Sequence, residues 1–125
     1  MERACDQVMN LFQLPACLPL EEWLDLLVKR GDIRIERIIS NGQSSPPGFW
    51  YDQAEDEWVA VLQGNAAMEW ADGSVQELTT GDYLLIPAGK KHRVVRTSVE
   101  PPCVWLAVFM PNEQLCKANK QAGGI

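Results

Sequence analysis

One histidine occurs in this chain of 125 residues, His92. It is the only imidazole available for proton transfer near neutral pH or for nitrogen ligation of a metal. Four residues later comes Arg96, whose planar guanidinium could hold a carboxylate or phosphate by paired bonds. Upstream, Tyr51, Gln53 and Glu57 offer a phenol, an amide and a carboxyl group. Residues two apart in a strand share a face. That parity groups Tyr51 with Gln53 and, carried across the Ala54-Glu55-Asp56 turn, with Glu57. The same parity puts Arg96 on the face of His92. Inside a protein, Gln53, Glu57 and His92 could satisfy one another by hydrogen bonds. Arg96 could equally find an internal partner in Glu36, Glu57 or Glu69, because a buried charge is costly alone.

The elements that would position these groups are mostly strands. Ile33 to Ile39 alternates and is rich in β-branched residues. Trp58 to Gln63 is apolar enough for a strand buried on both faces. Ala67 to Trp70 and Val75 to Leu78 flank Asp72-Gly73, a hairpin signal. Tyr83 to Ile86, His92 to Thr97 and Val104 to Met110 complete the series. Asn41-Gly42 and Pro46-Pro47-Gly48 punctuate it as turns. Short strands between such turns predict an all-β sandwich or closed barrel. One exception is expected. Leu20, Trp23, Leu24, Leu27 and Val28 fall at helical spacing, so residues 20–30 are predicted as a helix over the barrel, ended by Gly31.

Composition narrows the function classes. Hydrophobic residues make up 46% of the chain, as in an ordinary globular domain. The net charge is −6 with no run of lysines or arginines, which argues against a nucleic-acid partner. The longest apolar run, Cys103 to Pro111, is about half of what a membrane helix needs, so no membrane partner is expected. The start of the chain lacks the basic and apolar regions of a signal peptide. Cys5, Cys17, Cys103 and Cys116 form no Cys-x-x-Cys pair, which excludes a zinc ribbon or thioredoxin-type motif. A cytoplasmic location with free thiols is the expectation. Glu55-Asp56-Glu57 lacks the ligand spacing and glycine of a calcium loop, and Glu55 and Asp56 read as a solvated turn.

Two motifs stand out. In the first, six residues separate Glu57 from Gly64; the second reads Gly81-x5-Pro87-x-Gly89-x2-His92, and 16 residues lie between Gly64 and Gly81. Together they resemble the paired motifs of the cupin superfamily over roughly residues 33–109. The resemblance implies a cupin-type conical β-barrel, a double-stranded β-helix or jelly roll. Residues 1–31 would be an N-terminal extension with its short helix, 32–111 the barrel and 112–125 a polar tail. It also implies an internal pocket for a small molecule and a homodimer formed through N-terminal strands.

Cupin metal sites usually draw a His-x-His pair and a glutamate from the first motif and a histidine from the second. By resemblance, Glu57 and His92 are the surviving ligands of a divalent metal (zinc, iron, manganese or nickel). The His-x-His pair maps onto Tyr51 and Gln53, or in an alternative register onto Trp50 and Asp52. Gln53 could then supply a carbonyl oxygen, and Tyr51 a phenol oxygen or a candidate acid or base. Arg96 stands where the pattern has asparagine, which suggests an anionic ligand. Two functions follow from the resemblance: a metal-assisted enzyme acting on a small molecule, or a metal-free binding or sensing module.

Overall fold

A computed structural model describes residues 7–112. Eight antiparallel strands form two facing sheets: β1 (Trp23–Arg30), β2 (Ile33–Ser40), β3 (Asp56–Gln63), β4 (Asn65–Trp70), β5 (Val75–Thr79), β6 (Tyr83–Ile86), β7 (His92–Thr97) and β8 (Cys103–Met110). One sheet has the order β1-β2-β8-β3-β6 and the other β5-β4-β7. Alternating inward side chains fill the space between them. Val59 and Val61 from β3, Met68 from β4, Ile86 from β6, and Trp105, Ala107 and Phe109 from β8 form the centre of this core. The Asp72-Gly73 turn joins β4 to β5 as predicted, with the Asp72 carboxylate accepting from the Ser74 backbone N–H at 2.9 Å. Among the described residues no helix is long and apolar enough to cross a membrane. The expected tail lies almost wholly outside the described residues, as do Cys5 and Cys116.

The predicted helix over 20–30 is a strand. Trp23 to Arg30 pairs with β2 through a two-residue turn at Gly31 and Asp32, where Gly31 takes φ +56°. Asp25 sits opposite Arg37 and bonds it at 2.7 Å. The helical spacing has a physical origin. The register shifts between Leu26 and Val28, so Leu27 is an extra residue in a β-bulge. One extra residue breaks the two-residue period and mimics the three-to-four spacing of a helix face. Leu24 and Leu26 remain more than half exposed at this sheet edge.

Arg37 also secures the segment that precedes β1. Its guanidinium donates to the backbone carbonyls of Leu11 and Gln13 at 2.9 and 3.0 Å. The segment 43–53 runs beside β7 and extends the three-stranded sheet as an irregular fourth member. Ser45 N–H donates to Val94 O at 2.7 Å, and Tyr51 and His92 exchange backbone bonds at 2.8 and 3.2 Å. This strand-like course brings the first motif against the start of β7.

A candidate acid–base cavity

Glu57 occupies the second position of β3, between Ile86 of β6 and Phe109 of β8. Those two neighbours remove water from its carboxyl group, and the residue is 8% exposed. Burial, reinforced by the nearby Glu36 carboxylate, raises its pKa to about 7, although Arg34 and the Gln53 amide oppose the rise. Burial of a carboxyl favours the neutral acid in this way.

His92 begins β7 directly after the Pro87-Ala88-Gly89 turn. Ala88 N–H donates to the Asp56 carboxylate at 2.8 Å, and Gly89 N–H donates to Gln53 O at 2.8 Å. These bonds tie the second motif to the first. The imidazole is 4% exposed, and burial holds its pKa below the usual histidine value. Its Nδ1 lies 3.0 Å from Lys90 O. A carbonyl can only accept, so Nδ1 carries the hydrogen and Nε2 presents a lone pair.

That lone pair faces Glu57. The distance from Nε2 to Glu57 Oε1 is 3.9 Å, within range of an ion pair but too long for a hydrogen bond. Burial drives the carboxyl and the imidazole toward their neutral forms, so the neutral pair describes this contact better than a salt bridge. The gap opens into a cavity of about 160 Å³. Tyr51 stacks on His92 with ring centroids 5.4 Å apart, and burial with the charges of Glu22 and Glu57 keeps its phenol protonated.

The cavity brings together Tyr51, Gln53, Glu57 and His92. Asp52 is exposed and does not join them. Trp50 turns the other way, its ring 5.8 Å from the Arg93 guanidinium. Tyr51 and Gln53 therefore share the cavity wall, and Trp50 and Asp52 do not.

Arg96 departs from expectation. It is exposed, forms an ion pair with Glu77 and donates to Asn65 Oδ1 at 2.9 Å. The cause is a second bulge. Met68 pairs with Val94 and Ala67 with Arg96, so Val95 is an extra residue in β7. His92 and Val94 line the cavity, and the extra residue turns Arg96 outward. Neither Glu36, Glu57 nor Glu69 is its partner.

Sequence reasoning missed the cavity's far wall. Glu22, Glu36, Trp105 and Phe109 all line it. Ser40 donates to Glu22 Oε2 at 2.5 Å and receives the Trp105 indole N–H at 3.0 Å. Glu36 accepts from Arg34 Nε at 2.8 Å, and Arg34 also reaches Glu55 and lies over the Phe109 ring. Glu36 was findable as a carboxylate within an otherwise β-branched strand. Glu22 was hidden by the helix assignment.

A divalent metal would find two strong donors here, Glu57 and His92, with the Gln53 amide and the Tyr51 phenol beside them. Among the described residues no group of three or more His, Cys, Asp or Glu side chains could hold a metal ion. Protein zinc sites use three or four such donors. This donor set falls short of a resident metal.

The model of the family described as "Cupin domain" matches residues 36–109. Among solved structures, a protein from Ralstonia eutropha JMP134 named "putative mannose-6-phosphate isomerase" is 44% identical, with a TM-score of 0.79 over 84% of this chain and 98% of that one. A cupin superfamily protein from Desulfitobacterium hafniense DCB-2 shares the fold at 19% identity, with a TM-score of 0.63 over 74% of this chain and 80% of its own. A Streptococcus pyogenes protein of unknown function does so at 22% identity, with a TM-score of 0.66 over 90% and 92%. No curated protein matches the chain.

Proposed function

This chain belongs to the cupin domain family, and from that premise we propose that its cavity binds a small molecule and exchanges a proton with it through Glu57. The observation that carries this reading is the buried Glu57–His92 pair, 3.9 Å apart and unbonded. A polar group entering the gap meets a carboxyl that gains or loses a proton near pH 7. A general acid or base works best with a pKa near the working pH. The neutral His92 offers Nε2 as an acceptor, and the Tyr51 phenol offers an O–H donor. Apolar walls from Ile38, Val59, Met68 and Val94 would hold the rest of the ligand. The volume, about 160 Å³, is below the several hundred Å³ of drug-sized sites and suits a molecule of few atoms.

The name of the Ralstonia protein points to a sugar phosphate. Aldose–ketose isomerisation is a proton transfer between neighbouring carbons, which a base such as Glu57 could serve. A phosphate fits this cavity poorly, because among the described residues its lining includes three glutamates and no lysine or arginine. The anionic ligand suggested by Arg96 loses its support for the same reason.

A second reading keeps the divalent metal, and one observation favours it. His92 has its Nδ1–H fixed by Lys90 O, the arrangement that metal-bound histidines use to aim Nε2. The donor count weighs against it.

One experiment separates the two readings. Protein purified without a histidine tag or chelator is analysed for metals, then titrated with small alcohols, amines and carboxylates while the His92 imidazole and Trp105 indole resonances are followed. The proton-transfer reading expects no stoichiometric metal and shifts at both side chains. One metal per chain, lost in His92→Ala, would establish the metal reading instead.

The homodimer expected from the resemblance has a natural seat on β1. Among the described residues no strand pairs with the outer edge of β1, beside exposed Leu24 and Leu26, which favours strand pairing. Sedimentation of wild type against Leu26→Lys would test it.

A further inference from the structure

Carboxyl groups outnumber the other ionisable groups of the cavity, Tyr51 and His92, among the described residues. Glu22, Glu36 and Glu57 line it, with His92 as the only nitrogen base. The nearest guanidinium, Arg34, is turned to Glu36 and Glu55 at 2.8 and 3.0 Å. It binds only Oε2 of Glu36. Glu36 and Glu55 already outnumber it, and Glu22 and Glu57 add to the acidic side. The facing walls are aromatic, from Tyr51, Trp105 and Phe109.

An independent feature marks the place of a ligand. His92 is 4% exposed, and its Nε2 meets no donor among the described residues, the Glu57 oxygen at 3.9 Å being too far to bond. Nε2 opens on the cavity rather than on packed protein, so an entering group can donate a hydrogen to it.

We propose that the ligand of this cavity is a small protonated amine with an apolar body, its N–H groups shared among Glu57, Glu36 and His92 Nε2. The inference rests on the reading of the cavity as a small-molecule site and adds the ligand's charge. An ammonium group supplies donors only, and the glutamate carboxylates and His92 Nε2 offer acceptors. It is attracted by carboxylates and by aromatic faces alike. An alcohol of the same shape gains neither charge term. A carboxylate is repelled by the glutamates and finds no cation.

The test uses three molecules of one shape: isobutylamine, isobutanol and isobutyrate, titrated into the intact protein at about pH 7.5, where the amine is protonated. Affinities are read by calorimetry, and location by the His92 and Trp105 resonances. The amine is expected to bind at least about tenfold tighter than the alcohol, the factor that one charge-assisted bond supplies. Isobutyrate is expected to bind weakest. In Glu57→Gln the amine's advantage over the alcohol should shrink to about twofold or less, since the charged contact is removed. Glu36→Gln, checked for folding by circular dichroism, serves if the first variant does not fold.

An alcohol that binds as tightly as the amine, or an advantage that survives both substitutions, overturns the amine inference and leaves the small-molecule site standing. If none of the three moves either resonance, the small-molecule reading falls, and this inference with it.

Discussion

Glu57 Oε1 and His92 Nε2 face each other across 3.9 Å with no hydrogen bond between them. Each is placed by a different motif and a different sheet. Glu57 sits on β3 between two apolar neighbours, and His92 starts β7 behind a turn that Asp56 secures. Two buried groups that could neutralise each other as an ion pair are held apart, and both shift toward their uncharged forms. The pair is poised for a third group to enter.

Folding stability should depend on pH through Glu57. Its carboxyl ionises near 4.5 when exposed and near 7 in the fold. Below pH 4.5 both states keep the proton. As pH rises the unfolded chain loses it first, so this stabilisation fades through pH 7 and then levels. The full difference is about 3 kcal/mol. His92 acts in the opposite sense, because its pKa is lowered from 6.5 and stability falls as acid charges the unfolded chain first. Glu57→Gln isolates the first effect. Urea denaturation should show the variant gaining on wild type by up to about 3 kcal/mol between pH 5 and pH 8. A difference that does not change with pH would remove Glu57 from the account.

Arg96 should matter little. It pairs with Glu77 at the surface, where such pairs contribute roughly 0–1 kcal/mol. Arg96→Gln is expected to lower stability by less than about 1 kcal/mol and to leave ligand preference unchanged. A loss of ligand affinity on this substitution would restore Arg96 to the site.

Gly64 should be intolerant of any side chain. It takes φ +83°, and a Cβ there would lie 2.5 Å from Ser98 Oγ and 3.0 Å from Pro102 O. Ser98 cannot swing aside freely, because its hydroxyl donates to Pro101 O at 2.7 Å and accepts from Asn65 N–H at 3.1 Å. Gly64→Ala is expected to cost about 2–4 kcal/mol, combining backbone strain with overpacking. Gly73 has φ +91° but open space around it, so Gly73→Ala should cost about 1–2 kcal/mol. Thermal melts of the two variants compare them directly, and equal costs would contradict the close approach at Gly64.

Much of the fold was legible because most strands keep a strict two-residue period. Val59 and Val61, and Trp105, Ala107 and Phe109, alternate inward as their sequence suggests. Both failures occur where that period breaks. Leu27 and Val95 are extra residues in bulges. The first made a strand look helical, and the second turned Arg96 away from His92. The Gly31-Asp32 pair was a usable hairpin signal that the apolar spacing outweighed. The near wall of the cavity followed from parity, because Tyr51, Gln53 and Glu57 lie on one continuous run. The far wall did not, because Glu36 and Phe109 meet it from strands that are distant in the chain. Only the pairing order β2-β8-β3 brings them beside Glu57.

The most direct test of the acid–base pair is a carboxyl-carbon NMR titration of Glu57, assigned with Glu57→Gln, with the tautomer of His92 followed by its ring nitrogens. The account predicts a Glu57 midpoint near 7 and a neutral His92 protonated on Nδ1 at neutral pH. A midpoint near 4.5, with His92 doubly protonated in the same range, would mean that the two form an ordinary ion pair and would contradict it.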